Sequence, residues 1–439
     1  MRKTFLTILL LFLFLAVNGK EPKYIFLFIG DGMSIPQRMI ADEFARKIGR
    51  DGIIFNRFPY QATTRTCSAN QLVTDSAAAA TAIACGEKTD NGVIGLSSGG
   101  KTKLTSVAEV ARDKQRKVGI LTSVTLNHAT PAGFYGHRKS RAQYYELGLD
   151  LLSSGFDFFG GGGIQQHDNR KSPAYKGDIL KIAAQSGYSV YFGKEGLKNM
   201  VPGKKSIIIA GKKGDKMAYA IDEAKNEPTL AEITEKAIAM LDNPKGFFMM
   251  VEGGAIDYAG HANDAATNLR EVLALDDAVR VACKFYQAHP GETLIIVTGD
   301  HETGGMTMGF AGSGNRMFLE RLNDQKCSLA TFDAMLKQKP DLSFDEVKTM
   351  LSEYFGFKYD GSGPMRISDK ELAQLQTACK EKKLSRAVRV IVSRRAGVGW
   401  GTGSHTSLPV LTTAVGAKAE LFSGFMENTE ISRRLKGIL

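Results

Sequence analysis

Along the chain, short unbroken apolar runs alternate with longer stretches of mixed polarity. Tyr24–Ile29, Val118–Ser123, Phe156–Phe159, Ser206–Ile209, Phe247–Val251 and Thr293–Val297 are rich in β-branched and aromatic residues, which predicts buried strands. Between them, Leu104–Lys114 and Ala265–Ala288 carry helical spacing. Strands alternating with helices predict a mostly parallel sheet covered on both faces, an α/β fold of three layers, α/β/α. The rhythm breaks between Thr303 and Gly403, where an amphipathic stretch, Leu342–Phe355, stands among polar loops and a glycine-rich run, Gly397–Gly403. That region is expected to be a cap or crown inserted in one α/β domain spanning 20–439. The tetraglycine Gly160–Gly163 lacks the Lys-Ser/Thr of a phosphate-cradling loop, so close backbone packing is its expected role.

Residues 1–19 read as an export signal: Arg2 and Lys3, an apolar run from Phe5 to Val17, and small residues at Val17 and Gly19. The run of about 13 residues is shorter than the ~20 that span a bilayer. A periplasmic or secreted protein is expected, with no transmembrane segment after cleavage. Hydrophobic content of 43% allows a sizeable core, and the formal charge of +11 suits anionic partners. The basic residues are scattered and form no nucleic-acid module. Five cysteines leave at least one thiol unpaired, with Cys67 and Cys85 as one candidate disulfide.

Chemistry gathers at strand ends. Tyr24–Ile29 runs into Asp31, Phe247–Val251 into Glu252, and Thr293–Val297 into Asp300 and His301. Open parallel sheets bind ligands at the carboxyl ends of their strands, so these groups can converge on one crevice. Thr74-Asp75-Ser76 followed by alanines predicts a helix start, with Thr74 or Asp75 as cap and Ser76 where unpaired N–H groups favour phosphate. Asp257 and His261, four apart, share a helix face and can grip one metal. His405 adds another imidazole. Carboxylate and imidazole ligands favour zinc or a similar ion, and two such ions ~4 Å apart clamp a displacement at phosphorus. Arg138 and Arg141 both offer a guanidinium for phosphate oxygens, and spacing does not choose between them.

With these residues in place, the chain resembles the alkaline phosphatase family from about Lys23 to its C-terminus. The motifs are IGDGM at Ile29–Met33, TDSAAAATA at Thr74–Ala82, HATPAGFYGHRKSR at His128–Arg141, VEGGAIDYAGH at Val251–His261, TGDHETGG at Thr298–Gly305 and GSHT at Gly403–Thr406, in the family's order. The resemblance implies hydrolysis of small phosphate monoesters through a phosphoserine on Ser76. It implies one zinc on Asp257, His261 and His405, acting at the leaving-group oxygen. A second zinc on Asp31, Asp300 and His301 would lower the pKa of Ser76. A third ion, usually magnesium, would sit on Asp31, Thr130 and Glu252. Arg141 would clamp phosphate with Asp75 orienting it, leaving Arg138 facing solvent, and a homodimer is typical of the family.

Two positions depart from the best-known bacterial pattern. His128 stands where aspartate is common near the third ion, and an imidazole favours a softer cation, so both zinc and magnesium fit that site. Tyr258 stands where a lysine or another polar residue often reaches phosphate through water. A phenol is neutral below about pH 10, which implies weaker product binding. A phosphodiesterase or another two-metal enzyme of the same superfamily is the alternative. A sulfatase is disfavoured, since Ser76-Ala77-Ala78 lacks the C/S-x-P-x-R setting.

Overall fold

Seven consecutive buried residues, Tyr24–Gly30, form the strand β1 from which the sheet extends in both directions. The computed structural model describes residues 21–222 and 224–439, so the expected leader over 1–19 lies outside it. In chain order β1 is followed by β2 (Tyr60–Arg65), β3 (Lys117–Thr122), β4 (Phe158–Gly161), β5 (Tyr188–Phe192), β6 (Lys205–Ile209), β7 (Phe247–Gly253) and β8 (Thr293–Gly299). Four short strands come next: β9 (Glu302–Thr303), β10 (Met306–Met308), β11 (Val398–Trp400) and β12 (His405–Thr406). The last two are β13 (Val410–Gly416) and β14 (Gly424–Glu427). The main sheet has ten strands in the order β14-β2-β13-β8-β1-β7-β3-β4-β6-β5. Neighbours pair in parallel except β13, which is antiparallel to β2 and β8.

Side chains of β1 alternate between two cores, one on each face of the sheet. Phe26 and Phe28 pack with Phe247 and Leu269, while Ile25, Leu27 and Ile29 pack with Ile83 and Phe134. The helix Ala265–Ala288 supplies the first face, and the helices Ser76–Cys85 and Asn428–Ile438 help cover the second. This is the expected α/β sandwich. Register then places the chemistry: Gly30 at the end of β1 lies beside Gly253 on β7 and Gly299 on β8. Asp31 and Asp300 therefore leave neighbouring strands at one level, with Glu252 two register positions earlier on the third.

Strands β2, β5, β13 and β14 are not expected from the apolar pattern, because polar residues interrupt them and their side chains are only partly buried. The helix expected over Leu104–Lys114 starts later, at Val107, because Ser106 and Glu109 form a capping box. Between β10 and β11 the chain forms four helices, Leu329–Gln338, Phe344–Phe355, Asp369–Lys380 and Leu384–Ala396. Phe332, Val347, Leu351 and Val388 from them join the first core. The segment leaves and returns side by side, with Met306 opposite Trp400 and Thr303 opposite His405. No helix among the described residues is long and apolar enough to cross a membrane.

The Cys67–Cys85 disulfide is not formed, and all five cysteines are free. Cys85 is buried at the end of its helix, beneath the C-terminal helix whose Lys436 donates to the Cys85 carbonyl, whereas Cys67 lies in a half-buried loop.

The tetraglycine packs as expected. A Cβ on Gly161 would lie 2.1 Å from the Thr122 carbonyl oxygen, and one on Gly163 would lie 2.1 Å from that of Lys213. Gly163→Ala is expected to cost about 1–3 kcal/mol by overpacking. A lower urea midpoint at unchanged slope checks this; an unchanged midpoint would mean that the Lys213 backbone moves aside freely.

Candidate active site

The helix Ser76–Cys85 begins where it does because Asp75 caps it, accepting from the Ala78 N–H at 3.0 Å. Ser76 is therefore the first helical residue, buried at the positive end of the helix dipole. Its Oγ lies 3.1 Å from His301 Nε2 and 3.4 Å from Asp31 Oδ1. The Asp75 carboxylate also receives the Gly92 N–H and Arg141 Nη1, the latter at 3.0 Å. The Arg141 backbone N–H donates to the Gly92 carbonyl at 2.7 Å, so loop and helix cap together anchor this guanidinium, whose Nη2 lies 3.2 Å from His128 Nε2. Arg138 is engaged elsewhere. It pairs with both oxygens of Asp150 rather than facing solvent.

Three groups of ligand-type atoms converge around this serine: Asp257, His261 and His405; Asp31, Asp300 and His301; Asp31, His128 and Glu252. In the first, Asp257 Oδ1 is 3.4 Å from His261 Nε2 and 3.5 Å from His405 Nε2. In the second, His301 Nε2 is 3.2 Å from Asp31 Oδ1 and 3.5 Å from Asp300 Oδ2. His261 Nδ1 donates to the Gly403 carbonyl at 2.7 Å, and His405 Nδ1 to that of Thr74 at 2.9 Å. A carbonyl only accepts, so both rings carry a proton on Nδ1, and each ring in its neutral form turns a bare Nε2 inward. Such outer-shell bonds orient metal-binding imidazoles. In the third group the Thr130 hydroxyl lies 3.4 Å from Asp31 Oδ2, and Thr122 donates to Glu252. Tyr258 stands at the rim, 40% exposed, its ring centroid 5.9 Å from that of His128.

The electrostatics demand a cation. Burial, reinforced by the neighbouring carboxylates, pushes Asp31 well above the usual carboxyl range. Burial likewise raises Asp300 to about 7 and Glu252 to about 8. It pushes His301 and His128 down to about 3, helped by His405 and by Arg141 respectively. Asp257 behaves differently. Burial raises it, but the three surrounding imidazoles outweigh that and hold it well below its ordinary value. Asp300 Oδ2, Glu252 Oε1 and His128 Nδ1 are buried without a hydrogen-bond partner. His261 Nε2 and His405 Nε2 face each other at 3.2 Å. Unpaired buried oxygens and opposed imidazole nitrogens are costly unless a cation lies among them, so the donor set fits divalent ions.

Every site residue expected from sequence reaches this crevice. The buried polar residues that brace it were not singled out. Gln37 donates to Glu302 at 2.7 Å and to the Thr303 carbonyl at 3.0 Å, and Glu302 also accepts from Thr406 and from the Gly305 and Met306 N–H groups. Glu302 and Thr406 stand beside His301 and His405, but Gln37 carries no such signal, and the Gln37–Glu302 and Thr406–Glu302 partners lie far apart along the chain.

The family model described as alkaline phosphatase matches residues 22–439. Alkaline phosphatase 3 of Bacillus subtilis is 31% identical over 95% of this chain and 89% of its own length. Among solved structures, the cold-active alkaline phosphatase of a psychrophilic Shewanella superposes with a TM-score of 0.83 at 28% identity, over 95% of this chain and 99% of its own. The alkaline phosphatase of the Antarctic bacterium TAB5 gives 0.69 at 27% over 95% and 98%, and a variant of it with a histidine replaced by glutamate has magnesium bound in a site termed M3. The chain thus belongs to the alkaline phosphatase family, and it is a metal-dependent phosphate monoester hydrolase.

Proposed function

We propose that this enzyme transfers the phosphoryl group of a small monoester to Ser76 and then to water. Zinc ions would be held by Asp257, His261 and His405 and by Asp31, Asp300 and His301. The observation that carries this reading is the placement of the Ser76 hydroxyl, at a helix N-terminus between His301 and Asp31, in reach of an anchored Arg141. When bound, the ions supply Lewis acidity, positive charge that favours ionised oxygen and offsets the charge on the phosphoryl group. The chain supplies the rest. Ser76 Oγ attacks phosphorus as the bond to the alcohol breaks; water then attacks the phosphoserine, the P–Oγ bond breaks, and the hydroxyl is restored. Arg141 holds two non-bridging oxygens in a fork, and Asp75 keeps that fork from swinging away.

The third group, Asp31, Thr130 and Glu252 with His128, would hold magnesium or zinc. An imidazole among carboxylates favours the softer ion. The TAB5 variant, with glutamate in place of a histidine and magnesium in its M3 site, supports that reasoning. Burial pushes the Tyr258 phenol up to about 12, so it offers phosphate a hydrogen bond and no charge. The leader expected over residues 1–19 supports a periplasmic or secreted enzyme.

Release of p-nitrophenol from p-nitrophenyl phosphate tests the assignment. Ser76→Ala is expected to abolish turnover while metal content stays near that of the parent; retained turnover would refute Ser76 as nucleophile. Arg141→Ala removes charge-assisted bonds worth about 1.5–3 kcal/mol, so kcat/KM is expected to fall roughly 10- to 100-fold.

Metal removal yields a prediction of opposite character to ordinary carboxylate stabilisation. Unfolded carboxyls are ionised above pH ~5.5, whereas native Asp300 and Glu252 keep protons up to about 7 and about 8. The native state then binds more protons, so stability falls as pH rises through that window. Chelated protein is expected to melt at lower temperature at pH 8 than at pH 7, and added zinc should flatten the difference. A rising midpoint in the chelated protein would contradict the account.

A further inference from the structure

Thr303 is fully buried, and its hydroxyl touches two residues from different metal-ligand groups. Oγ1 donates to Asp257 Oδ1 at 2.5 Å and lies 3.3 Å from His301 Nδ1. A carboxylate can only accept, so the threonine proton points at Asp257. Only lone pairs then remain for His301, whose Nδ1 must be the donor. That tautomer leaves His301 Nε2 bare, turned toward Ser76 and Asp31. His301 thus follows the pattern of His261 and His405, except that its outer partner is a side chain already bonded to the other group.

The fold makes room for this one side chain. A Cβ on Gly32, the residue after Asp31, would lie 2.7 Å from Thr303 Oγ1, and one on Gly260, the residue before His261, would lie 3.1 Å from Thr303 Cβ. The Thr303 N–H donates to the Gly32 carbonyl, and its strand partner is His405. One residue therefore abuts elements carrying Asp31, Asp257, His261, His301 and His405.

We infer that Thr303 is a positioning residue whose single hydroxyl couples the two zinc sites, orienting Asp257 in one and fixing the tautomer of His301 in the other. The inference rests on the reading that these groups hold zinc. A valine of the same shape would fill the space and break both bonds, while a serine would keep them.

The test uses zinc-loaded enzyme and reads both zinc release to an excess of a chelating dye and turnover of p-nitrophenyl phosphate. Thr303→Val is expected to release both ions roughly 10- to 100-fold faster and to lower kcat on a similar scale. Thr303→Ser should stay within about threefold of the parent on both readouts, since the bonds persist. Thr303→Ala, free of any steric conflict, should behave like valine. Valine and alanine variants with parental release would overturn the inference, as would a serine variant as impaired as they are, because packing rather than the hydroxyl would then be responsible. A parent enzyme with no releasable zinc would overturn the underlying metal reading itself.

Discussion

Carboxylates confined together away from water repel one another, and the central crevice of this protein is organised around that repulsion. Asp31, Glu252 and Asp300 are buried side by side at the ends of three adjacent strands, and no lysine or arginine forms an ion pair with any of them among the described residues. Burying ionised groups without compensation costs several kcal/mol each, so such a cluster persists only protonated or with cations among its oxygens. The orphaned oxygens of Asp300 and Glu252 and the bare nitrogens of His261 and His405 point to cations. The same charges that repel one another are what a divalent ion would bind.

The fold creates this arrangement through register. In a parallel sheet every strand ends on the same side, and β8, β1 and β7 reach their terminal glycines at one level. Carboxylates just before or after those glycines are delivered to one place without help from loops. Loops then bring what strands cannot: the helix cap at Asp75, the Gly92 turn that pins Arg141, and the segment around Gly403 that orients His261. The helices between β10 and β11 share the main core, so the chain returns beside its point of departure and sets His405 opposite Thr303.

Much of this was legible in the sequence, for an identifiable reason. Strands buried on both faces leave unbroken apolar runs, and the carboxylates follow those runs directly, so β1, β7 and β8 and their acids could be read together. Strands β14, β2 and β13 at one end of the sheet and β5 at the other are only partly buried and carry no such mark. Pairwise choices were also hidden. Arg138 and Arg141 look equivalent until Asp150 takes one and Asp75 the other, and Cys67 and Cys85 are near in sequence but separately packed. Glu302 and Thr303 stood inside a quoted motif without a role, because a hydroxyl's partners are fixed by tertiary contacts that spacing does not encode.

The central claim is that metal ions occupy defined groups of side chains beside Ser76. Diffraction from crystals of the purified enzyme, recorded on both sides of the zinc absorption edge, tests it most directly. Two anomalous peaks about 4 Å apart are expected, one among Asp257, His261 and His405 and the other among Asp31, Asp300 and His301. Difference maps without zinc peaks there, or with peaks only at surface histidines, would contradict the account.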